Sequence, residues 1–460
     1  MFIHDHIIIN EKNPKQAFAL EVAARLRAAG FEALWAGGCV RDLQLGIEPT
    51  DYDVATSARP EQVQAIFRRS LSVGASFGVI VVQGNDETGD IEVATFRSDG
   101  QYSDGRRPDS VEFCDARNDA LRRDFTINGM FFDPVAGEIV DYVGGREDLK
   151  NGYLRAIRDP LERFTEDKLR LLRAVRFAAR FHLNIDPATL AAIRAMASQI
   201  HVVSVERIAQ EFHKMLPHSS RVNGMRLLRE SGLLKEILPE CERMIGVIQQ
   251  KPAYPDADVW EHTLRVLELL PGKPGFTLTM GTLLHDVGKP DAMVNDNGRI
   301  TFYHHESIGR ELANRICLRW KLSSAEIRRI CWLVEYHQYL GKAMQMKESK
   351  IKKILSEPGV EELLDLHEAD ALASTGDKSQ IDYCRFYLKD QPQGPINPPL
   401  LLTGHDLARL GLNPGPIYKI VLDYVRDAQL DRRIQNKSQA TDLAIEFLKD
   451  NKTLYDNMNE

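Results

Sequence analysis

The 460-residue chain has no long hydrophobic run. A helix needs about 20 apolar residues to cross a bilayer, and no stretch approaches that length. The segment IHDHIII near the amino terminus is too short and too polar for a secretory signal or a membrane span. The chain is therefore expected to have no membrane association. Cysteine is sparse. Cys39, Cys114, Cys241, Cys317, Cys331 and Cys384 are scattered with no CxxC pair, which reads as free thiols in a reducing cytoplasm, the expected compartment. An excess of positive charge is also missing. A net charge of −7 argues against a protein that coats nucleic acid nonspecifically, although a local basic groove remains compatible with it. What is present, 43% hydrophobic and 27% charged residues, describes a globular protein with real cores, and 460 residues accommodate roughly three domains.

Against this background one stretch concentrates chemistry. In GGCVRDLQLGIEPTDYD a glycine pair, Gly37-Gly38, opens a short helix carrying Arg41, and a turn leads to a strand expected to carry Asp51 and Asp53. Glycines let backbone N–H groups approach a triphosphate closely, and a helix N-terminus adds its dipole. Residues two apart on a strand face the same way, so Asp51 and Asp53 can share a pair of divalent ions. A glycine turn or a surface DxD alone is common. Together, in this order and spacing, they resemble the nucleotidyltransferase signature of the DNA polymerase β superfamily.

Around this stretch the pattern alternates helix and strand. Pro14–Gly30 reads as a helix, with Phe18, Val22 and Leu26 on one face. Gly78–Val82 and Asp90–Arg97 read as a hairpin joined by Asn85–Gly89. Glu92 is the candidate third carboxylate, against the alternative of a solvent-facing edge residue. Ser98–Pro108 reads as a loop. Arg117–Met130 reads as a helix on which Arg122, Arg123, Asp124 and Asn128 crowd two turns, a set suited to phosphate and ribose hydroxyls. Gly144–Leu149 reads as a turn.

GGCVRD with DYD, then EVATFR, RRDFTINGMFFDP, GGREDLKNGYLR and FTEDKLRLLRAVRFAARF, resemble in this order the bacterial class II tRNA nucleotidyltransferase and poly(A) polymerase family. The likeness runs from about Ala36 to Phe181. It implies an α+β chain: a polymerase-β-like head with a mixed sheet and helices, then a mostly α-helical neck, further helical domains and a tail. It implies that Asp51 and Asp53 hold Mg2+, and that Arg122, Arg123, Asp124 and Asn128 hold sugar and triphosphate.

Phe164–Phe181 reads as one helix, which would set Asp167, Arg170 and Arg173 in a stripe. An aspartate accepts from an exocyclic amine, and an arginine donates to ring nitrogen and carbonyl oxygen. An ion pair worth tenths of a kcal/mol is the plainer reading. In the family this EDxxR pattern (Glu166, Asp167, Arg170) serves as a protein template for incoming C or A. Val202–Leu216 reads as a further amphipathic helix, with Glu206, Arg207 and Glu211 in support.

The third region is rich in histidine. His262, His285, Asp286, His305, His337 and Asp370 come from separate predicted helices and resemble the HD phosphohydrolase superfamily residue by residue. Imidazole and carboxylate ligands suit Mg2+ or a divalent transition metal such as Mn, Ni or Co. HHE stands where GHE is frequent, which leaves His304 and His305 as alternatives. In some family members a domain fused at this position is associated with 2′,3′-cyclic phosphodiesterase and phosphatase activity. Lys389–Pro399 reads as a linker, and Leu402–Leu430 as two helices in contact with the tRNA body or with the protein's own core.

These readings predict a head at 14–150, a nucleotide-recognition neck at 151–235, an HD domain at 236–390 and a tail at 400–460. The expected activity is template-independent addition of CCA, or of the terminal A alone, to the tRNA 3′ end from CTP and ATP, with Gly37, Gly38 and Arg41 on the triphosphate. The Ser98–Pro108 loop resembles the complete form that permits A addition. Poly(A) polymerase, an HD-type hydrolase with an inactive head, and a non-catalytic RNA-binding protein are the alternatives. The sequence is silent on oligomeric state.

Overall fold

The structure, a computed structural model, describes residues 7, 9–10, 12–74, 78–100, 110–249, 258–390 and 395–451. Most of the Ser98–Pro108 loop, most of IHDHIII and part of the 389–399 linker lie outside the described residues. The chain divides into two compact units, Met1–Glu242 with Leu318–Leu322, and Arg243–Cys317 with Ser323–Glu460.

The first unit opens with a helix over Pro14–Ala28. Asn13 caps it, its side chain accepting from the N–H groups of Lys15 and Gln16. Ala19, Val22, Ala23 and Leu26 are buried on one side. The strands are β1 (Ala33–Ala36), β2 (Asp53–Thr56), β3 (Ser70–Gly74), β4 (Val79–Val82), β5 (Ile91–Thr95), β6 (Arg97–Asp99), β7 (Val111–Phe113), β8 (Phe131–Asp133) and β9 (Glu138–Val140). Seven of them form one sheet in the order β3-β4-β5-β2-β1-β8-β9. Only β2 and β5 run parallel; the other neighbours are antiparallel, so the sheet is mixed as expected. The wholly buried ALWA of β1 occupies an interior position. β6 and β7 pair separately and flank the loop between them.

Four local expectations change. The strand starts at Asp53, with Asp51 just before it. The helix expected over Arg117–Met130 ends at Leu121, and a single 3-10 turn, Thr126–Asn128, follows. Buried Phe125 bridges to Ala156 instead of continuing a helix. Gly144–Leu149 is not a turn: Gly144, at φ 78°, leads into a helix over Gly145–Asn151. The single helix expected over Phe164–Phe181 is two, Pro160–Glu166 and Leu169–Phe181. Asp167 between them is extended, and its side chain accepts the N–H of Leu169, the first residue of the second helix. The Leu169–Phe181 helix is buried along most of its length and forms the spine of the neck, with Val205–Met215 and Arg221–Glu230 packed on it.

The second unit is helical. Val259–Leu269, Phe276–Leu284, Ser324–Tyr336 and Val360–Ser374 pack on one another. Its C-terminal segment has a core of its own, built from Leu407, Ile417, Val421, Val425, Ala440 and Ala444 among others, on three helices: Gly404–Arg409, Pro416–Leu430 and Lys437–Asp450. Lys389 and Asp390 belong to a helix rather than a linker. Among the described residues no helix is long and apolar enough to cross a membrane.

Candidate active site and metal centre

The first site is a cleft of about 660 Å³ in the first unit. It is lined by Gly37, Gly38, Arg41, Asp51, Asp53, Arg122, Arg123, Asp124, Asn128, Asp167, Arg170 and Arg173, together with Phe177 and Lys214. Glu92 is not on its surface, nor are Glu166, Glu206, Arg207 and Glu211.

Gly37 adopts φ 71° and ψ −120°, a conformation glycine takes freely and other residues resist. A Cβ at Gly37 would lie 2.8 Å from Nη1 of Arg123. The missing carbon is what lets Arg123 reach the cleft floor, where Nη1 donates to the Asn128 carbonyl at 3.4 Å. The backbone of Gly37-Gly38 is thereby left open toward the cleft at the start of the Gly38–Gln44 helix.

Asp51 and Asp53 are exposed on either side of buried Tyr52, so both carboxylates occupy the solvent side. The parallel register sets Asp53 directly beside Glu92, with side chains on the same face. Desolvation in the cleft, and next the charge of Glu92, push the Asp53 carboxyl up to about 6, with Arg123 opposing and Asp51 adding. Crowded carboxylates of this kind are relieved by a divalent cation, and their hard oxygens fit one.

The arginines are held by a residue that carries no motif signal. Asp119, 1% exposed, accepts from Nε and Nη2 of Arg122 at 2.9 and 2.7 Å and from Nε and Nη2 of Arg123 at 3.2 and 3.0 Å. Burial opposes its charge, but the two arginines outweigh that and lower its pKa. Arg41 is buried. It donates to Asp42 from Nε and Nη2 and to Asn128 from Nη1, and its guanidinium lies 4.2 Å from the Phe181 ring centre. Its charge therefore acts from the wall of the cleft. Asp124 and Asn128, though not on one helix, still meet: Asn128 Nδ2 donates to Asp124 Oδ1 at 3.0 Å. Asp124 Oδ2 accepts from Nε and Nη2 of Arg173 at 2.9 and 2.6 Å. Burial would raise the Asp124 carboxyl, but Arg173 and Asn128 hold it well below the usual range. Arg173 thus straps the head to the neck helix.

Asp167 and Arg170 reach the cleft from the break between helices. Arg207 donates to both oxygens of Asp167, at 3.1 and 2.7 Å. Arg170 Nη1 donates to Glu166 Oε2 at 2.6 Å and to the Arg163 carbonyl at 3.0 Å. Glu211 accepts from buried Arg176, tying the Val205–Met215 helix to the spine. Lys214, exposed on the cleft wall, had no distinguishing pattern in the sequence.

The second site lies within the second unit and gathers all six expected ligands. Asp286 is at its centre. Its Oδ2 is 3.1 Å from His285 Nε2 and 3.6 Å from His262 Nε2; its Oδ1 is 3.4 Å from His305 Nε2 and 3.6 Å from His337 Nε2. Asp370 Oδ1 lies 3.1 Å from His262 Nε2. The choice between adjacent histidines is decided: His305 is buried in the cluster, while His304 is exposed at φ 60°. The Nδ1 atoms of His285, His305 and His337 bond the carbonyls of Thr282, Phe302 and Val334 at 2.7, 2.8 and 2.7 Å. Each bond places a ring proton on Nδ1 and turns Nε2 toward the centre. Burial lowers the pKa of His337, which keeps it neutral. Burial opposes the Asp286 charge, but His285 and Lys289 outweigh it and hold the carboxyl well below its usual range. His285 Nε2 and Asp286 Oδ1 are buried without a hydrogen-bond partner, as expected of atoms built to bind a cation. Two ligand triads, His262–His285–Asp370 and His285–Asp286–His337, each have their atoms within 4.8 Å. Lys289, one turn beyond Asp286, donates to its Oδ2 at 2.6 Å; the i, i+3 spacing in HDVGK was the available signal.

A mixed sheet with a glycine turn, paired aspartates at a strand start and a third carboxylate in register defines the nucleotidyltransferase class. Comparison with known proteins agrees. Residues 33–155 match the poly A polymerase head domain, 182–245 the probable RNA and SrmB-binding site of polymerase A, and 259–375 the HD domain. A CCA-adding enzyme of Latilactobacillus sakei is 36% identical over 281 residues, 60% of this chain and 70% of that protein. The chain belongs to the CCA-adding enzyme family. A CCA-adding enzyme of Lactococcus lactis is 44% identical over 235 residues; the match spans 50% of this chain and 58% of the length of that relative. The crystal structure of the Bacillus stearothermophilus CCA-adding enzyme in complex with CTP superposes with a TM-score of 0.70 at 26% identity, covering 96% of this chain and 99% of that one.

Proposed function

We propose that the protein adds CCA, or the terminal A alone, to the tRNA 3′ end from CTP and ATP, releasing pyrophosphate, in the cytoplasm. The observation that carries this reading is one cleft lined both by Asp51 and Asp53 and by Asp167 and Arg170. Nucleotidyl transfer needs the first pair, and choosing a base without a nucleic-acid template needs the second. Residues 14–150 act as the catalytic head, 151–235 as the base-reading neck, 236–390 as the HD domain and 400–460 as a tail contacting tRNA.

The attacking group is the terminal hydroxyl of the tRNA, and the bond broken lies between the α- and β-phosphates. Asp51 and Asp53, with Glu92 behind them, would hold Mg2+; when bound, it would activate the hydroxyl and neutralise the leaving pyrophosphate. Arg122 and Arg123, fixed by Asp119, meet the triphosphate beside the open Gly37-Gly38 backbone, and Arg41 adds charge from the wall. Asp124 and Asn128 accept and donate at the ribose. Asp167 accepts the exocyclic amine of C or A, and Arg170 donates to the ring edge.

His262, His285, Asp286, His305, His337 and Asp370 would hold Mg2+ or a divalent transition metal for phosphohydrolase chemistry on 2′,3′-cyclic phosphates. The test of the main reading uses purified protein, tRNAs ending before, within and after CCA, and each labelled nucleoside triphosphate in turn. Metal stabilisation at such sites is worth several kcal/mol, so Asp51→Ala should leave no detectable addition. Near-normal incorporation by Asp51→Ala would refute the mechanism, and a long A tail on any RNA would replace it with poly(A) synthesis.

A further inference from the structure

Asp51 is not fixed by the sheet. The strand begins two residues later, at Asp53, and among the described residues no backbone–backbone hydrogen bond involves residues 48–51. The segment hangs between two fixed points. At one end the Ile47 N–H bonds the Asp42 carbonyl at 2.9 Å. At the other, Tyr52 is buried, with its ring centre 5.0 Å from that of Trp35. Between these points the ties run through side chains. Two come from the N-terminal end of the Pro14–Ala28 helix: Asn13 Nδ2 donates to Glu48 Oε1 at 2.6 Å, and Lys15 Nζ donates to the Thr50 carbonyl at 2.9 Å. Another lies within the segment, where the Thr50 hydroxyl donates to Asp51 Oδ2 at 3.1 Å. The helix is itself anchored, by its buried face and by Trp35 Nε1, which donates to the Ala19 carbonyl at 3.2 Å.

We propose that Lys15 and Thr50 are positioning residues for the metal site of the head, Lys15 by fixing the Thr50 backbone and Thr50 by aiming the Asp51 carboxylate. A carboxylate on backbone outside a ladder is free to turn, and that freedom is lost when it binds a cation. The Thr50 hydroxyl engages one lone pair of Oδ2 beforehand. This sets the plane of the carboxylate and leaves Oδ1 for a cation shared with Asp53. Neither Lys15 nor Thr50 lines the cleft. Both act through Asp51. The inference rests on the reading of Asp51 and Asp53 as the Mg2+ site.

The test uses the full-length protein and two readouts. One is incorporation of CTP and ATP onto tRNA as Mg2+ is titrated. The other is the rise in melting temperature that Mg2+ produces without nucleotide. Partners that orient a metal ligand carry about tenfold in metal affinity. Thr50→Val, which keeps the shape and loses the hydroxyl, should therefore need about tenfold more Mg2+ for half-maximal incorporation and reach a near-parental rate at saturating Mg2+. Thr50→Ser should match the parent. Lys15→Met should shift the same way by a smaller factor. Lys12→Ala, which removes a neighbouring exposed charge, should match the parent. The rise in melting temperature should shrink in Thr50→Val. In Asp51→Ala, adding Thr50→Val should change that rise no further, because the carboxylate it aims is gone. Folded Thr50→Val or Lys15→Met with the parental Mg2+ dependence would overturn the proposal, as would a loss of rate that saturating Mg2+ does not restore. So would a further change in the double variant. Near-normal incorporation by Asp51→Ala would overturn the metal reading of the cleft itself, and this inference with it.

Discussion

Gly37→Ala is the sharpest perturbation the structure offers, because its neighbour is an internal control. At Gly37, φ 71° and ψ −120° put an alanine in a region side chains rarely occupy. Backbone strain of this kind costs about 1–3 kcal/mol. The new Cβ would also sit 2.8 Å from Arg123 Nη1. That nitrogen belongs to a side chain, but one that cannot simply swing aside, since Asp119 holds its other nitrogens at 3.0 and 3.2 Å. Relief therefore means breaking that pairing or moving the glycine turn, and either displaces groups meant for the triphosphate. At Gly38, by contrast, a Cβ would lie 3.6 Å from Arg41 Nη2, an ordinary contact, and φ is not positive. Gly37→Ala should lower the melting temperature of the first unit by roughly 2–10 °C. It should cut nucleotide incorporation at least about tenfold, a loss of about 1.4 kcal/mol in transition-state stabilisation. Gly38→Ala should leave stability nearly unchanged. Thermal unfolding followed by circular dichroism, with incorporation measured on the same samples, reads both. Equal effects from the two substitutions, or none from Gly37→Ala, would show that the positive φ and the Arg123 approach do not matter.

Two further outcomes follow from the carboxylates. The Asp53 pKa is raised to about 6 in the folded protein, above an ordinary value of 3.8. Its contribution to stability is therefore fully present below about pH 4 and lost as pH rises through about 6. A bound cation offsets that loss, so the rise in melting temperature produced by Mg2+ should be small at pH 5 and larger at pH 7.5; a rise independent of pH would contradict this electrostatic account. In the second unit, Asp286→Ala should lower the divalent metal bound per chain, measured by elemental analysis against an Asp51→Ala parent that lacks the head site, while in the otherwise unaltered protein incorporation by the head persists. Undiminished metal content would remove Asp286 from the ligand set.

The sheet and both sites were legible where the information is local. Apolar runs flanking the turn-rich Asn85–Gly89 marked the β4–β5 hairpin, and spacing marked Asp51 with Asp53. The helices failed where a break has no local cause. Nothing between Phe164 and Phe181 is a glycine or proline, so periodicity runs straight through Asp167. The interruption coincides with bonds from Arg207, forty positions away in sequence, and from Leu169. Likewise RNDALRRDFTIN contains no breaker, yet the helix ends at Leu121, where both arginines fold back onto Asp119 and Phe125 turns into the core. Asp119 and Lys214 stayed invisible for the same reason: their significance is a matter of what lies across space. The histidines were different, since ligand type alone narrowed them, and only the adjacent pair needed backbone geometry, a positive φ at His304, to separate.

The pairing of Asp53 with Glu92 has a practical side. Glu92 is held in register on both sides, beside Asp53 on β2 and opposite Val81 on β4. The turn at Asn85–Gly89 is exposed at residues 85–87, half-buried at Thr88 and Gly89, and bonded mainly to itself through the Asn85 and Thr88 side chains. An insertion at the exposed tip, residues 85–87, that keeps both ends of the turn in place leaves the pairing of β5 with β2 intact. That tip is a natural place to splice in an affinity tag or a reporter peptide on the first unit, a few residues from Glu92.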